Sequence, residues 1–258
     1  MDNDKQIGTK LPRYQKGMVI TMMPPSPNTL TVATYNICHG HYASFDWQRL
    51  TAPIRACGAD MVGIQEVDMY TARSRHMDSV AALAEAAELP YTLFAATMPF
   101  EGGHYGTAIL SRYPIASSVV VPLDAGEYEP RAFGCVRVSL PDGAHLYLLN
   151  THLSYKSAAC RRGQFRALRE WMETHIPKDS PCLLTGDFNT ECDEDYTPLL
   201  ALGMSALNVG RRYVSFRNEP LAIDNIVYTP DQLSPVESGM VESDASDHNL
   251  LWCRFSRR

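Results

Sequence analysis

Acids, amides and imidazoles stand at several points of this chain where an apolar strand should continue in valine or leucine. The run Leu183-Leu184-Thr185-Gly186-Asp187-Phe188-Asn189 stops at a carboxylate and an amide. Thr31-Val32-Ala33-Thr34-Tyr35-Asn36 ends in an amide, and Met61-Val62-Gly63-Ile64-Gln65-Glu66 ends in a carboxylate. Leu146-Tyr147-Leu148-Leu149-Asn150-Thr151-His152 ends in an amide and an imidazole. Ala222-Ile223-Asp224-Asn225-Ile226-Val227-Tyr228 carries an acid inside an apolar run, and Ser246-Asp247-His248 precedes the last strand. Side chains two apart on a strand share a face, so Asp187 and Asn189 are expected on one side of the strand exit. Burying such groups singly is costly unless they are paired or bind a metal. One shared site is the simplest common explanation.

The set Asn36, Glu66, His152, Asp187, Asn189, Asp224, Asp247 and His248 is rich in oxygen and free of cysteine. Oxygen donors suit Mg²⁺ or Mn²⁺ rather than zinc. Mg²⁺ takes one or two carboxylates and keeps waters, so Glu66 with one aspartate would suffice. The remaining acid can orient and deprotonate an attacking water. An imidazole can donate to a phosphoryl oxygen whose charge grows in the transition state. Ser111, Ser154 and Ser246 lack a nucleophile-elbow pattern, so direct attack of water on phosphorus is the natural chemistry. Arg73, Arg75 and Arg131 are candidate phosphate contacts, because the guanidinium binds phosphate bidentately; a solvated surface charge is the equal alternative for each. Tyr105 could stack on substrate or pack a strand end. Asp68 reads as a surface acid, and His39, His41 and His104 read as structural or loop residues. Arg161, Arg162, Arg166 and Arg169 read as surface partners of Glu170 and Glu173 on one helix.

The elements that must position these groups alternate. Strands are expected near 30–37 and 60–67, with a helix near 46–57 between them. Asp46 is its N-cap and Gly58 its C-terminal stop. A helix near 78–88 keeps Leu83 and Leu89 on its apolar side. Strands near 91–97, 105–111, 115–122, 132–140 and 144–151 follow, with Pro141-Asp142-Gly143 as a hairpin turn. A helix near 157–175 carries Phe165, Leu168 and Met172 at helical spacing. A strand at 181–186 and a short helix near 194–202 come next. The last strands are expected near 213–217, 222–228, 235–241 and 248–255. Hairpins mixed with helices indicate an α+β domain, with two packed β-sheets and helices outside.

The motifs T-Y-N-I, G-I-Q-E-V, Y-G-T-A-I-L-S-R, N-T-H-L, T-G-D-F-N-T, I-D-N-I and S-D-H, in that order, resemble the endonuclease/exonuclease/phosphatase superfamily, on its broad bacterial phosphodiesterase-like branch. The resemblance covers residues 30–256. It implies a four-layer α/β/β/α sandwich of mainly antiparallel sheets. It also implies Glu66 as the principal metal carboxylate, Asn36 beside metal and phosphate, and Asp247 as a second metal-side acid. Asp187 resembles the acid that activates water, and Asn189 the amide that holds that acid and the phosphate. His248 resembles the phosphate-contacting imidazole with Asp224 as its carboxylate. His152 resembles a phosphate contact or the acid for the leaving group. The expected activity is hydrolysis of a phosphodiester with Mg²⁺ or Mn²⁺. A phosphomonoesterase of a sugar, lipid headgroup or nucleotide, and an inactive binding protein on the same scaffold, are the alternatives.

Composition bounds the reading. The 258 residues, 45% hydrophobic and 20% charged, suit one large domain over 30–258, after an extension at 1–29 that holds Pro24, Pro25 and Pro27 as a stiff spacer. A net charge of −6 argues mildly against a general nucleic-acid surface, so a nucleic-acid substrate is open but not indicated. Seven scattered cysteines form no disulfide framework or structural zinc pattern. No secretory pattern or membrane-spanning run is present. The chain is expected to be a cytoplasmic monomer whose partner is a phosphate ester.

Overall fold

The computed structural model describes residues 28–258. The expected extension lies outside the described residues up to position 27, and Thr29 already opens the first strand. In chain order the elements are β1 (Thr29–Asn36), α1 (Trp47–Ala56), β2 (Met61–Met69), α2 (Ser79–Ala87), β3 (Tyr91–Phe100), β4 (Gly103–Ser111), β5 (Ile115–Leu123) and β6 (Arg131–Ser139). They continue with β7 (His145–His152), α3 (Ala158–His175), β8 (Cys182–Asp187), α4 (Thr197–Leu200), β9 (Ser205–Ala206), β10 (Asp224–Tyr228), β11 (Leu233–Val241) and β12 (Leu250–Arg257). Two six-stranded sheets form, ordered β11-β12-β1-β2-β4-β3 and β5-β6-β7-β8-β10-β9.

Local chemistry explains the helices. Asp46 caps α1 by accepting from Arg49 N at 3.1 Å. Gly58 (φ +62°) closes it in a Schellman turn, with Gly58 N donating to Arg55 O and Ala59 N to Ile54 O. Asp78 and Ser157 cap α2 and α3 in the same way. Phe165, Leu168 and Met172 form the buried stripe of α3.

Strand alternation sorts the side chains into layers. Leu30 and Val32 of β1, Met61 of β2, Leu148 of β7 and Leu183 of β8 pack between the sheets. Ala33, Tyr35, Val62 and Ile64 point the other way, onto α1 and α2. Leu149 and Leu184 point onto α3 and α4. The result is the expected four-layer sandwich.

Topology decides where the chemistry falls. All pairings are antiparallel except β1 with β2 and β7 with β8, which are parallel. Each parallel pair sits centrally in its sheet and brings two C-terminal ends to one edge. The antiparallel neighbours β4, β6, β10 and β12 bring their N-terminal ends to that same edge.

Two expectations need correction. Residues 213–217 form no extended strand; Phe216 makes only isolated bridges with Leu221 and His248. The Asn208 side chain occupies this segment's backbone, accepting from Tyr213 N and donating to Tyr213 O, both at 2.9 Å. The helix near 194–202 is split into a 3-10 turn at Asp193–Tyr196 and the short α4. No helix among the described residues is long and apolar enough to cross a membrane.

Candidate active site

Below the rim, the layer between the sheets changes from apolar to polar. Gln65 Nε2 donates to Asn150 Oδ1 (2.6 Å) and Thr34 Oγ1 (3.0 Å). Thr185 Oγ1 donates to Asn150 Oδ1 at 3.1 Å, while Asn150 Nδ2 donates to Ile64 O and Ala108 O. This buried network joins the two sheets. Gly63 makes the close approach possible: a Cβ there would stand 2.0 Å from Thr185 Oγ1 and 2.4 Å from Asn150 Oδ1. Asn150, an amide at a strand end, therefore belongs to the floor and not to the site above it.

Asn36 leaves the end of β1 and reaches both sheets. Its Nδ2 donates to Glu66 Oε1 at 3.2 Å and to Asp187 Oδ2 at 3.1 Å. Its Oδ1 accepts from Cys38 N at 3.0 Å. Glu66 reaches this position through a β-bulge. Simple alternation from Gln65 would turn it onto the helix face. Instead the register with β4 slips between Ile64 and Val67, and Glu66 adopts φ +58°. Burial works against its charge, but His39, His152 and Asn36 together hold its carboxyl down at about 2. His39 Nδ1 lies 3.7 Å from Glu66 Oε2.

Asp187 ends β8 in register with His152 of β7 and Asp224 of β10. Its Oδ1 accepts from Asn189 N at 2.9 Å. Its Oδ2 faces His152 Nε2 at 3.6 Å and His248 Nε2 at 3.8 Å. Burial, then the Asp224 charge, pushes the Asp187 carboxyl above the usual carboxylate range. His248 Nδ1 is bonded to Asp224 Oδ2 at 2.7 Å. Burial opposes the imidazolium, yet Asp224 raises His248 to about 9. His152 goes the other way: burial and then the Arg131 charge keep it neutral, well below the usual histidine value. The two imidazoles beside Asp187 thus differ in charge.

Asn189 lines the cleft, but not by strand alternation. The strand has ended at Asp187, and Asn189 sits at φ +52°, with Nδ2 donating to Leu153 O. Asp247 also lines the cleft, its Oδ1 accepting from Ser246 Oγ at 3.3 Å.

Glu66, His152, Asp187, Asn189, Asp247 and His248 open onto a cleft of about 700 Å³, within the usual range for small-molecule sites, with Asn36 and Asp224 buried behind them. Arg73, Tyr105 and Arg131 are on its wall, whereas Arg75 is not, its guanidinium lying over the Phe45 ring. Arg73 is locked by a forked pair to Asp68, 2.6 and 2.8 Å, and lies over Phe100. Asp68 is accordingly buried and not a surface acid. Arg131 is 3% exposed and paired with Glu129 at 2.8 Å, and its Nε has no hydrogen-bond partner among the described residues. Arg161 and Arg162 turn to buried Asp195, and only Arg169 keeps the expected helix-surface pair, with Glu173.

Sequence reasoning missed His39, Phe216, Glu219 and Leu221 on the cleft wall. His39 carried a signal, since it lies three residues past Asn36; Phe216 and Leu221 carried none. A neighbouring depression of about 730 Å³, lined by Arg49, Pro53, Arg217 and Asp244 among others, contains no imidazole.

Known proteins share this arrangement of elements. The chain is 29% identical over 168 residues to the uncharacterised protein YbhP of Escherichia coli strain K12, covering 61% of this chain and 66% of that one, just under two thirds of its length. An endonuclease/exonuclease/phosphatase structure from Beutenbergia cavernae superposes with a TM-score of 0.70 at 23% identity, over 89% of this chain and 72% of that one. The human Nocturnin catalytic domain with bound sulfate gives 0.72 at 18% identity, over 90% and 94%. A mannosyl-6-phosphatase from Bacteroides thetaiotaomicron gives 0.66 at 17% identity, over 88% and 99%. These structural likenesses are likenesses of fold. With residues 33–248 matching its model, from β1 through to His248 of the cleft, the chain belongs to the Endonuclease/Exonuclease/phosphatase family.

Proposed function

We infer that this protein is a metal-dependent phosphohydrolase that cleaves a phosphodiester by in-line attack of water. The convergence of Glu66, Asn36, Asp187, His152 and His248 from both sheets on one cleft carries this reading. Glu66 is ionised and part-exposed, and Asp247 shares its cleft, so two hard oxygen donors fit Mg²⁺ or Mn²⁺. When bound, such a cation neutralises charge that grows on the phosphoryl oxygens. Asn36 orients Glu66 and Asp187 together through one amide nitrogen.

Asp187 takes a proton from the attacking water as the water's oxygen bonds to phosphorus; the ester bond on the opposite side breaks, and the leaving oxygen takes its proton from solvent. The Asn189 backbone N–H holds Oδ1 of Asp187, and Oδ2, which accepts from Asn36, keeps its other lone pair for the water's proton. His248, cationic near neutrality and fixed by Asp224, donates to the phosphoryl oxygens. His152, kept neutral, serves as a hydrogen-bond donor to phosphate more readily than as the acid for the leaving group. Arg73 and Arg131 face the cleft already paired with carboxylates. Little uncompensated positive charge remains on that wall, which suits a singly charged diester better than a doubly charged monoester.

Solved neighbours include a mannosyl-6-phosphatase and a zebrafish TDP2 complexed with a single-strand DNA product, so the monoesterase reading and a nucleic-acid leaving group are the competitors. The deciding experiment compares bis-aryl and mono-aryl phosphates with Mg²⁺, Mn²⁺ or EDTA. Metal-dependent turnover of the diester in preference to the monoester is expected. Faster monoester cleavage would transfer the assignment. No turnover of any phosphate ester, despite bound metal, would leave a binding protein on this scaffold.

A further inference from the structure

A second, chemically different set of ligands shares Glu66. Between β1 and α1 the chain makes a 3-10 turn at Cys38–Gly40, in which Cys38 (φ +43°) and His39 (φ +45°) both take the left-handed conformation. Two consecutive non-glycine residues there store backbone strain. The turn is held by Cys38 N donating to Asn36 Oδ1 at 3.0 Å, and by His41 N donating to Cys38 O at 2.9 Å. Its effect is to bring the Cys38 thiol and the His39 imidazole to the Glu66 carboxylate. Ligand atoms of the three residues all lie within 4.8 Å of one another, with His39 Nδ1 and Glu66 Oε2 at 3.7 Å.

Tetrahedral zinc, with bonds of about 2.0–2.2 Å to nitrogen and oxygen, separates such ligand atoms by about 3.3–3.6 Å. The His39–Glu66 distance of 3.7 Å is just above that range, and small side-chain movements would close it and bring Cys38 in. Thiolate, imidazole and carboxylate together select a borderline metal over Mg²⁺. Three protein ligands would leave one position open, the pattern of an exchangeable site and not of a closed structural one. His39 and Glu66 line the cleft, so solvent reaches this ligand set from there. Burial and the Glu66 and Asp247 charges raise the Cys38 thiol, and a bound cation reverses those surroundings. The thiol proton passes to solvent as the metal binds.

We propose that Cys38, His39 and Glu66 form a site for Zn²⁺, and that zinc there inhibits the enzyme by taking Glu66 from the hard cation. Zinc binding itself stands apart from the phosphohydrolase reading; only the inhibition rests on it. Co²⁺ is the probe, because a Co²⁺–thiolate contact gives a near-ultraviolet charge-transfer band. The full chain in a phosphine reductant is titrated with Co²⁺ and then with Zn²⁺. The expected result is one equivalent of Co²⁺ with that band, bleached by Zn²⁺. Cys38→Ser removes the band and weakens Zn²⁺ binding by more than about 100-fold, beyond the loss typical of outer-shell partners. His39→Gln weakens binding similarly while the thermal transition stays in place. Cys192, the exposed thiol 3.0 Å from Glu194, is the control, and Cys192→Ser must keep the band. A wild-type protein without the band, or a band that survives in Cys38→Ser, overturns the site. In Mg²⁺-supported diester hydrolysis, Cys38→Ser keeps its turnover and loses zinc sensitivity. Equal zinc inhibition of the variant and the wild type overturns the proposed competition. Absent hydrolysis with the band intact would count against the functional reading alone.

Discussion

Replacing Asp224 with asparagine removes the charge that keeps His248 protonated. The two side chains meet at 2.7 Å, and Asp224 overcomes burial to raise the imidazole to about 9. In an unfolded chain histidine titrates near ~6.5. The folded protein therefore holds this proton more tightly than the unfolded one. The stability so contributed is complete below about pH 6.5 and is lost as pH rises through the folded value. A difference of roughly two and a half pH units, at about 1.4 kcal/mol per unit, makes the window worth about 3 kcal/mol. The assay is urea unfolding in EDTA, for wild type and Asp224→Asn, at about pH 6 and about pH 10. The wild type should lose about 3 kcal/mol more than the variant between those conditions. In the variant the His248 Cε1 proton should titrate well below its wild-type value, because burial is then opposed by the Asp187 and Asp247 charges alone. Equal losses in both proteins, or an unmoved His248 titration, would refute the assignment of that charge pair.

Four other substitutions test separate parts of the site. Asp187→Asn keeps the shape but cannot accept the water's proton, so kcat should fall by about 10²–10⁴-fold with metal binding retained; near-normal turnover removes Asp187 from that role. Glu66→Ala should raise the Mg²⁺ concentration for half-maximal rate by at least about tenfold, and an unchanged metal titration removes Glu66 from the metal's ligands. Arg73→Lys loses the forked bond to Asp68 and the flat face over Phe100, and KM should rise several-fold with kcat little changed. Gly63→Ala drives a methyl into Thr185 and Asn150 across the sheets, costing about 2–3 kcal/mol and lowering Tm by about 5–10 °C; a thermal scan that does not move contradicts the contact geometry.

Much of the site was legible because polar groups at the ends of apolar strands have few reasons to be there. The structure brings Asn36, Glu66, His152, Asp187, Asp224 and His248 together. The route was less legible than the destination. Glu66 faces the cleft through a bulge and a left-handed residue, which no alternation pattern reveals. Asn189 arrives by a turn after the strand has ended. Asp68 looked solvated because its partner, Arg73, is five residues away in an irregular loop. Residues 213–217 form no strand because Asn208 takes the Tyr213 backbone with a side chain, and Ser215 N and Phe216 N both turn to Leu221 O, a competition that composition does not record. His39 is a loop histidine by pattern, and only the turn at Cys38–Gly40 carries it to Glu66.

Asn150 shows why polarity at a strand end marks a region and not a role. It lies two residues before His152 on β7, on the same face, one step deeper. At that depth there is no cleft, and all its hydrogen bonds are with protein groups. A leucine there would extend the apolar layer but take one acceptor from the Gln65 amide and strand two backbone carbonyls, each carbonyl lost costing about 1–3 kcal/mol. Those carbonyls belong to Ile64, where the bulge that turns Glu66 begins, and to Ala108 of its neighbour β4. The floor thus does for the bulge what Asn36 does for the carboxylates. It ties the strand that supplies Glu66 to the sheet that supplies Asp187, so that the distance between the two acids is set by this buried network as well as by the Asn36 amide.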